Sequence, residues 1–333
     1  MKGMDDSFTA EIKAKLISIG SVRLDPALER PEYVGRSTAG PGAGGRSVFF
    51  SADSRRVRLS IRDNSPILMR SDGDGVIIEH EGFFIARGFI EPVGAHCPHQ
   101  AYITVSERCI FRCAFCPVHQ IQGPVKSPEE VFSLIHEVNS RGFLQAISLT
   151  TGIEISPEHE VTRMEGIVKI LRKEYDVPIG VSLYPTHDSS ERMYAAGADE
   201  VKYNVETMDR ALFPAICPDQ NLDYILNALK DAARIFGKNH VSSNMIIGLG
   251  EDDQTVVSGV SELASLGVIP VLRPVVIHPS CPIPGAERPS ADRLLRLGYH
   301  AKAEMSRYGI SPLHAKTMCL PCTGCDLTPF ADF

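Results

Sequence analysis

The sequence predicts an α/β fold: a partial (β/α)6 barrel of the TIM-like kind, with a small mainly β N-terminal region and a Cys-rich C-terminal tail. Three observations carry this reading. From Ala101 onward, six short β-rich runs recur, at 101–105, 146–149, 179–184, 201–205, 241–247 and 271–277. Each is followed by a stretch of helical periodicity. The connections between them are short, which requires a parallel sheet with right-handed crossovers, and such a sheet either stays open or curls into a barrel.

The elements follow in chain order. Residues 1–95 differ in texture from the rest, with an amphipathic helix near 8–19 and alternating segments at 56–61 and 76–78 that predict strands. Between them lies a glycine-rich loop at 37–46. It lacks the Lys-Ser/Thr ending of a phosphate-binding loop and no clear strand precedes it, so it is expected to be a flexible turn. Residues 96–309 form the barrel and 310–333 the tail.

The first barrel helix announces its start: Ser127 is placed to cap it, Pro128 suits its first position and Glu130 completes a capping box. Further helices are expected at 159–175, 189–196, 222–236, 252–266 and 290–308. On such a barrel, chemistry belongs at the C-terminal ends of the strands.

Composition limits the function classes. The chain has 333 residues, 43% of them apolar, which suits one large α/β domain plus a smaller appendage or two ordinary domains. Its formal charge is -7 and no Lys/Arg block stands out, which argues against a nucleic-acid partner. Asp5 and Asp6 stand where a secretion signal would be basic, and no apolar run approaches the roughly 18 residues a membrane span needs. A cytoplasmic protein with no membrane or nucleic-acid partner is expected. Nine cysteines, an odd number with six of them in two tight triplets, point to metal ligation rather than to disulfides.

Cys109, Cys113 and Cys116 form C-x-x-x-C-x-x-C directly after the first barrel strand. Three thiolates can bind three irons of a cubane and leave the fourth iron open, unlike the four-cysteine ligation of ordinary electron-transfer clusters. Zinc is the competing reading, but zinc pairs two C-x-x-C knuckles or adds histidine at matched spacing.

The segment from Cys109 to Cys116, with the aromatic Phe115 before the last cysteine, resembles the signature of the radical S-adenosylmethionine superfamily. The likeness runs from Ala101 to about Pro284. It implies a [4Fe-4S] cluster whose open iron is chelated by S-adenosylmethionine, and reductive cleavage to a 5'-deoxyadenosyl radical that abstracts hydrogen from an unactivated C–H bond. Thr150, Thr151 and Gly152 resemble the family segment that supports the methionine amino group. Asn204 and Glu206 are similar to the polar strand end that biotin and lipoyl synthases place against the ribose and methionyl portions. Ile247 and Gly248 resemble the glycine-bearing strand on which the adenine rests.

Cys319, Cys322 and Cys325 form a second triplet, C-x-x-C-x-x-C, expected to carry a second iron-sulfur cluster, with zinc as the alternative. Cys97, Cys281 and Cys217 are each open as its fourth ligand, and the expected place is the top of the barrel, facing substrate. Arg273, polar in an apolar strand, either binds a substrate carboxylate or serves as a buried ion-pair partner.

By texture the likeness is closest to biotin and lipoyl synthases, which implies sulfur insertion with the C-terminal triplet as sulfur source. Radical methylation or carbon-carbon rearrangement in cofactor or peptide maturation is the second enzyme reading, and a non-catalytic iron-sulfur protein is the third. Expected partners are a low-potential electron donor such as ferredoxin or flavodoxin and a small-molecule or acylated-protein substrate.

Overall fold

A computed structural model describes residues 7–94, 96–142 and 144–333. Met1–Asp6, on which the argument against a secretion signal partly rests, lie outside the described residues. No helix among the described residues is long and apolar enough to cross a membrane.

Helix α1 (Ala10–Ile19) is capped by the Thr9 hydroxyl and ends at Gly20 in the left-handed region. Seven strands follow: β1 (Ser21–Leu24), β2 (Gly35–Arg36), β3 (Arg46–Ala52), β4 (Arg55–Ile61), β5 (Ile67–Asp72), β6 (Gly75–His80) and β7 (Phe83–Glu91). Their order is β2-β3-β4-β1-β5-β6-β7, and β3 also pairs with β7, so six strands close into a small barrel. Closure removes the exposed edges that such short strands would leave. Phe8, Leu16, Val48, Phe50, Val57 and Met69 fill its interior.

The second sheet has six parallel strands: β8 (Gln100–Thr104), β9 (Ala146–Thr150), β10 (Ile179–Ser182), β11 (Glu200–Lys202), β12 (Val241–Ile247) and β13 (Ile269–Pro274). They lie in sequence order, and β8 and β13 do not pair, which makes this the partial barrel the periodicity predicts. The helices are α2 (Val118–Ile121), α3 (Pro128–Ser140), α4 (Pro157–Glu174), α5 (Ser189–Ala196), α6 (Phe213–Ile216), α7 (Leu222–Phe236), α8 (Asp253–Ser265) and α9 (Ala291–Tyr308). The capping box at Ser127 and Glu130 is formed.

Two differences from the sequence reading have local causes. The strand expected at 201–205 pairs regularly only to Lys202, because Thr207 N–H bonds back to Val205 at 2.6 Å and Glu206 takes a φ of 59°. The last strand ends at Pro274 rather than near 277.

Strand alternation gives the barrel an apolar outer face and a polar lumen. Ile147, Leu149, Val181 and Val201 pack outward in the main core. Facing inward, Tyr102, Ser148, Gly180 and Glu200 stand side by side in one layer, and Thr104, Thr150, Ser182 and Lys202 in the next. Two residues separate these layers, which is about 7 Å of strand rise.

The tail fills the lower end of this lumen. The Met318 amide bonds to the Ser148 hydroxyl and its carbonyl accepts from Gln100. The Thr317 hydroxyl and amide donate to the Glu200 carboxylate, and a side chain at Gly180 would strike Thr317. Residues 316–318, just before the second triplet, therefore enter the lumen from the N-terminal strand ends, whereas the sequence reading set the triplet at the top. After Gly309, where α9 ends, the chain turns into the lumen instead of climbing the outside.

Candidate functional site

The first triplet opens into a cavity at the C-terminal strand ends, with a volume of about 170 Å³. That is an order of magnitude more than one water requires. Cys109, Cys113 and Cys116 line it together with Phe115, Thr150, Thr151, Gly152, Asn204 and Glu206. Of the residues singled out by sequence for the cofactor, Ile247 and Gly248 do not line this cavity. The Glu251 carboxylate holds the Gly248 and Leu249 amides at 2.8 Å, and a side chain at Gly248 would strike the Glu287 carbonyl. The glycine there serves the passage of a neighbouring chain segment.

The local sequence explains the thiol arrangement. Residues after β8 have no regular secondary structure until α2, so the backbone is free to turn its cysteines inward. The Ile110 amide bonds to Ile153 O and the Ala114 amide to Ile216 O, which ties the loop to the β9 and α6 ends. Gly152 packs against the Arg108 carbonyl so closely that any Cβ would overlap it.

Burial pushes the Cys116 thiol up to about 12 and raises Cys109 as well. The Gln220 side-chain amide donates to Cys113 Sγ at 3.1 Å. Cys217 is fully buried in the same core cluster as Cys113, and the neighbouring Cys113 thiol, ahead of burial, raises its pKa. Glu206 is half-buried, and desolvation pushes its carboxyl up to about 7 against the pull of Asn204, Lys202 and Arg273.

Sequence reasoning missed parts of the wall. Thr38, Ala39 and Gly40, from the loop read as a flexible turn, line the cavity, and Thr38 Oγ1 donates to Thr104 Oγ1 at 2.7 Å. Phe111 and Tyr184 also line it, edge to face at 5.0 Å. The exposed-looking Gly/Pro composition of residues 37–46 hid the first set. No local pattern signals the second pair, because the rings meet only across the barrel mouth.

The second triplet lies under this cavity. Cys97 and Cys322 pack together with Phe49 and Val93 in one buried cluster. The neighbouring Cys97 thiol, ahead of the nearby Arg56, draws Cys322 down to about 7. Cys281 is elsewhere, on the loop after β13, where the Gln120 amide reaches its sulfur at 3.6 Å. Arg273 pairs with Asp326 at 3.0 Å, which matches the buried ion-pair reading of that residue.

The donor chemistry fits an iron-sulfur cluster at the upper site. Three thiols and a set of polar side chains line one cavity with open space between them. The one His-containing carboxylate group among the described residues that could hold a metal ion, Glu154, His159 and Glu160, is tied up with Arg163, whose guanidinium holds both carboxylates.

The sequence matches the Radical SAM superfamily over residues 103–260. It is 28% identical to biotin synthase of Acetivibrio thermocellus over 199 residues, which cover 56% of this chain and 60% of that protein. It is 25% identical to lipoyl synthase of Aquifex aeolicus, over 50% of this chain and 61% of that one. The chain thus spans about three fifths of the length of these relatives. Among solved structures, Streptococcus suis SuiB bound to S-adenosylmethionine aligns with a TM-score of 0.53 at 12% identity, covering 64% of this chain and 49% of that one. Methylornithine synthase aligns at 0.50 and 17% identity, covering 63% and 69%. These structural likenesses establish the fold. A match to that superfamily implies a [4Fe-4S] cluster and S-adenosylmethionine binding.

Proposed function

We infer, from a chain that carries a radical S-adenosylmethionine domain over residues 103–260, an enzyme that functionalises an unactivated C–H bond of a small-molecule or acylated-protein substrate. Cys109, Cys113 and Cys116 hold the cluster in this reading. The chemistry supplied by the bound group is one-electron cleavage of the sulfonium to methionine and a 5'-deoxyadenosyl radical, with the electron drawn from a low-potential donor such as ferredoxin or flavodoxin.

The protein's own residues position and shield. Thr150, Thr151 and Gly152 offer a hydroxyl-rich strand end with close backbone approach, suited to the amino and carboxylate groups of the cofactor. Asn204 and Glu206 face them and suit ribose hydroxyls and positive charge. Phe111, Phe115 and Tyr184 supply apolar walls that keep water from a carbon radical. The single observation that carries the reading is that three thiols and these polar groups share one cavity wall.

The finer reading is sulfur insertion of the lipoyl or biotin type, with a second cluster at Cys319, Cys322 and Cys325 as donor. Its support is position: the Ser148 layer that grips the tail lies one layer below Thr150 and Ser182 in the cavity wall. The division of the chain near residues 95 and 309 belongs to the same proposal.

The test is to add S-adenosylmethionine to the anaerobically reduced protein. Formation of 5'-deoxyadenosine and methionine is expected, and neither product nor spectral change would overturn the enzyme reading. Loss of sulfide in step with product would support the donor role, and turnover with an unchanged sulfide inventory would redirect it to rearrangement or methylation.

A further inference from the structure

We propose that Cys97 joins Cys319, Cys322 and Cys325 in a closed four-cysteine iron-sulfur site at the lower end of the barrel lumen. The proposal concerns the second site alone and is independent of cofactor cleavage above it.

Convergence of the four thiols is the first argument. Cys97 lies about 220 residues before the triplet in the sequence, just ahead of β8. It packs with Cys322 in one buried cluster with Phe49 and Val93, and Cys319 and Cys325 flank Cys322 at three residues on either side. The rival ligands are held elsewhere: Cys217 lies in the main core cluster with Cys113, and Cys281 is in reach of Gln120.

The ligand pattern is the second. A tight C-x-x-C-x-x-C run with a remote cysteine followed by proline is the arrangement by which ferredoxin-type cubanes are held. Here Pro98 follows Cys97. Zinc sites instead draw on two separate knuckles.

The scaffold around the site is built to hold its shape. Arg58 N–H donates to Gly324 O at 2.6 Å, and Arg56 Nη1 donates to Cys322 O at 3.0 Å. Gly324 packs so tightly on the Phe49 ring that a Cβ would come within 2.7 Å of it. Met318 and Thr323 take φ values of 60° and 55°, turning the chain twice within the triplet loop. Strain of this kind persists only where surrounding structure enforces it. The closed N-terminal barrel thus grips the loop from one side while the parallel barrel grips it from the other.

Charge is the fourth argument. Three arginines border the triplet loop: Arg56 donates to the Cys322 carbonyl, Arg58 packs on Gly324 and Arg273 pairs with Asp326 beside Cys325. Arg273 Nη2 is buried with no hydrogen-bond partner among the described residues. Buried cations require a compensating anion, and a cubane held by four thiolates carries net negative charge beside these side chains. With four thiolates, every iron is filled, so no iron of this site is open to substrate. Any sulfur or electron it supplies leaves from the cluster core.

The experiment uses the full chain purified anaerobically with Cys109, Cys113 and Cys116 all changed to alanine, so that only the lower site holds metal. About four iron and four sulfide per chain are expected, against about eight in the unaltered protein. Adding Cys97→Ala to that background should drop iron and sulfide at least twofold, whereas adding Cys281→Ala should change neither. Unaltered iron content after Cys97→Ala, or zinc in place of iron, would overturn the proposal. Should Cys97→Ala fail to fold, added cyanide decides the matter in the triple variant itself. An unperturbed EPR spectrum of the reduced cluster means a closed site, and a shifted one means an open iron and a wrong assignment.

Discussion

The side-chain amide of Gln220 points at Cys113, its nitrogen 3.1 Å from the thiol sulfur. A donor at that distance stabilises a cluster more as negative charge accumulates on its sulfurs, so it raises the reduction potential. Gln220→Leu should therefore make the cluster harder to reduce. A differential of about 1 kcal/mol corresponds to about 40 mV for one electron. EPR-monitored redox titration of the variant checks this, and a potential equal to that of the unaltered protein would remove Gln220 from the electronic role.

Glu206 offers a pH signature. Its carboxyl, pushed by desolvation from the ordinary value of 4.5 up to about 7, holds a proton in the folded protein that the unfolded chain releases. In that window the native state binds more protons, so stability falls as pH rises from about 4.5 to about 7, and the loss is complete above it. Denaturant melts across pH 5 to 8 should show this decline, and Glu206→Gln should flatten it. Positive charge arriving in the cavity favours the ionised form, so S-adenosylmethionine should bind more tightly above pH 7 and release a proton on binding near pH 6. Calorimetry in two buffers of different ionisation enthalpy reads that proton directly.

Lys13 and Asp332 join the two ends of the chain. The ammonium lies 2.9 and 2.7 Å from the carboxylate oxygens and 2.7 Å from Thr323 O, with side-chain exposures of 0% and 1% for the pair. Lys13→Met leaves Asp332 charged, buried and unpaired, which costs about 3–5 kcal/mol. Thr323 lies inside the triplet loop, so iron at the lower site should also exchange faster with a chelator. The double variant Lys13→Met/Asp332→Leu should regain most of the stability. If it remains as unstable as the single variant, lost packing and not the stranded charge is the cause.

Much of this protein was legible locally. Helix α5 at Ser189–Ala196 and α7 at Leu222–Phe236 fall where the periodicity predicts them, and the Ser127 capping box forms as its spacing implies. Those features depend on neighbours three or four residues away, which a sequence displays directly. The first cysteine triplet was legible for the same reason, since its ligands lie within eight residues.

Contacts between distant segments were not legible. Spacing could not choose among Cys97, Cys217 and Cys281, because the choice depends on whether the chain after Gly309 climbs outside the barrel or turns into it. The turn inward follows from Glu200, Ser148 and Gln100, which offer hydrogen-bond partners in the lumen that only barrel closure brings together. Likewise, Thr38 reaches the cavity because the N-terminal barrel packs beside Thr104, a relation no periodicity encodes. By itself, then, the sequence determined the succession of strands and helices and the cysteine triplet at the barrel mouth, for these are written in short-range pattern and spacing. Tertiary structure alone decided which end of the lumen the tail enters and which thiols meet there, since a buried polar side chain takes its partner from whatever packing delivers.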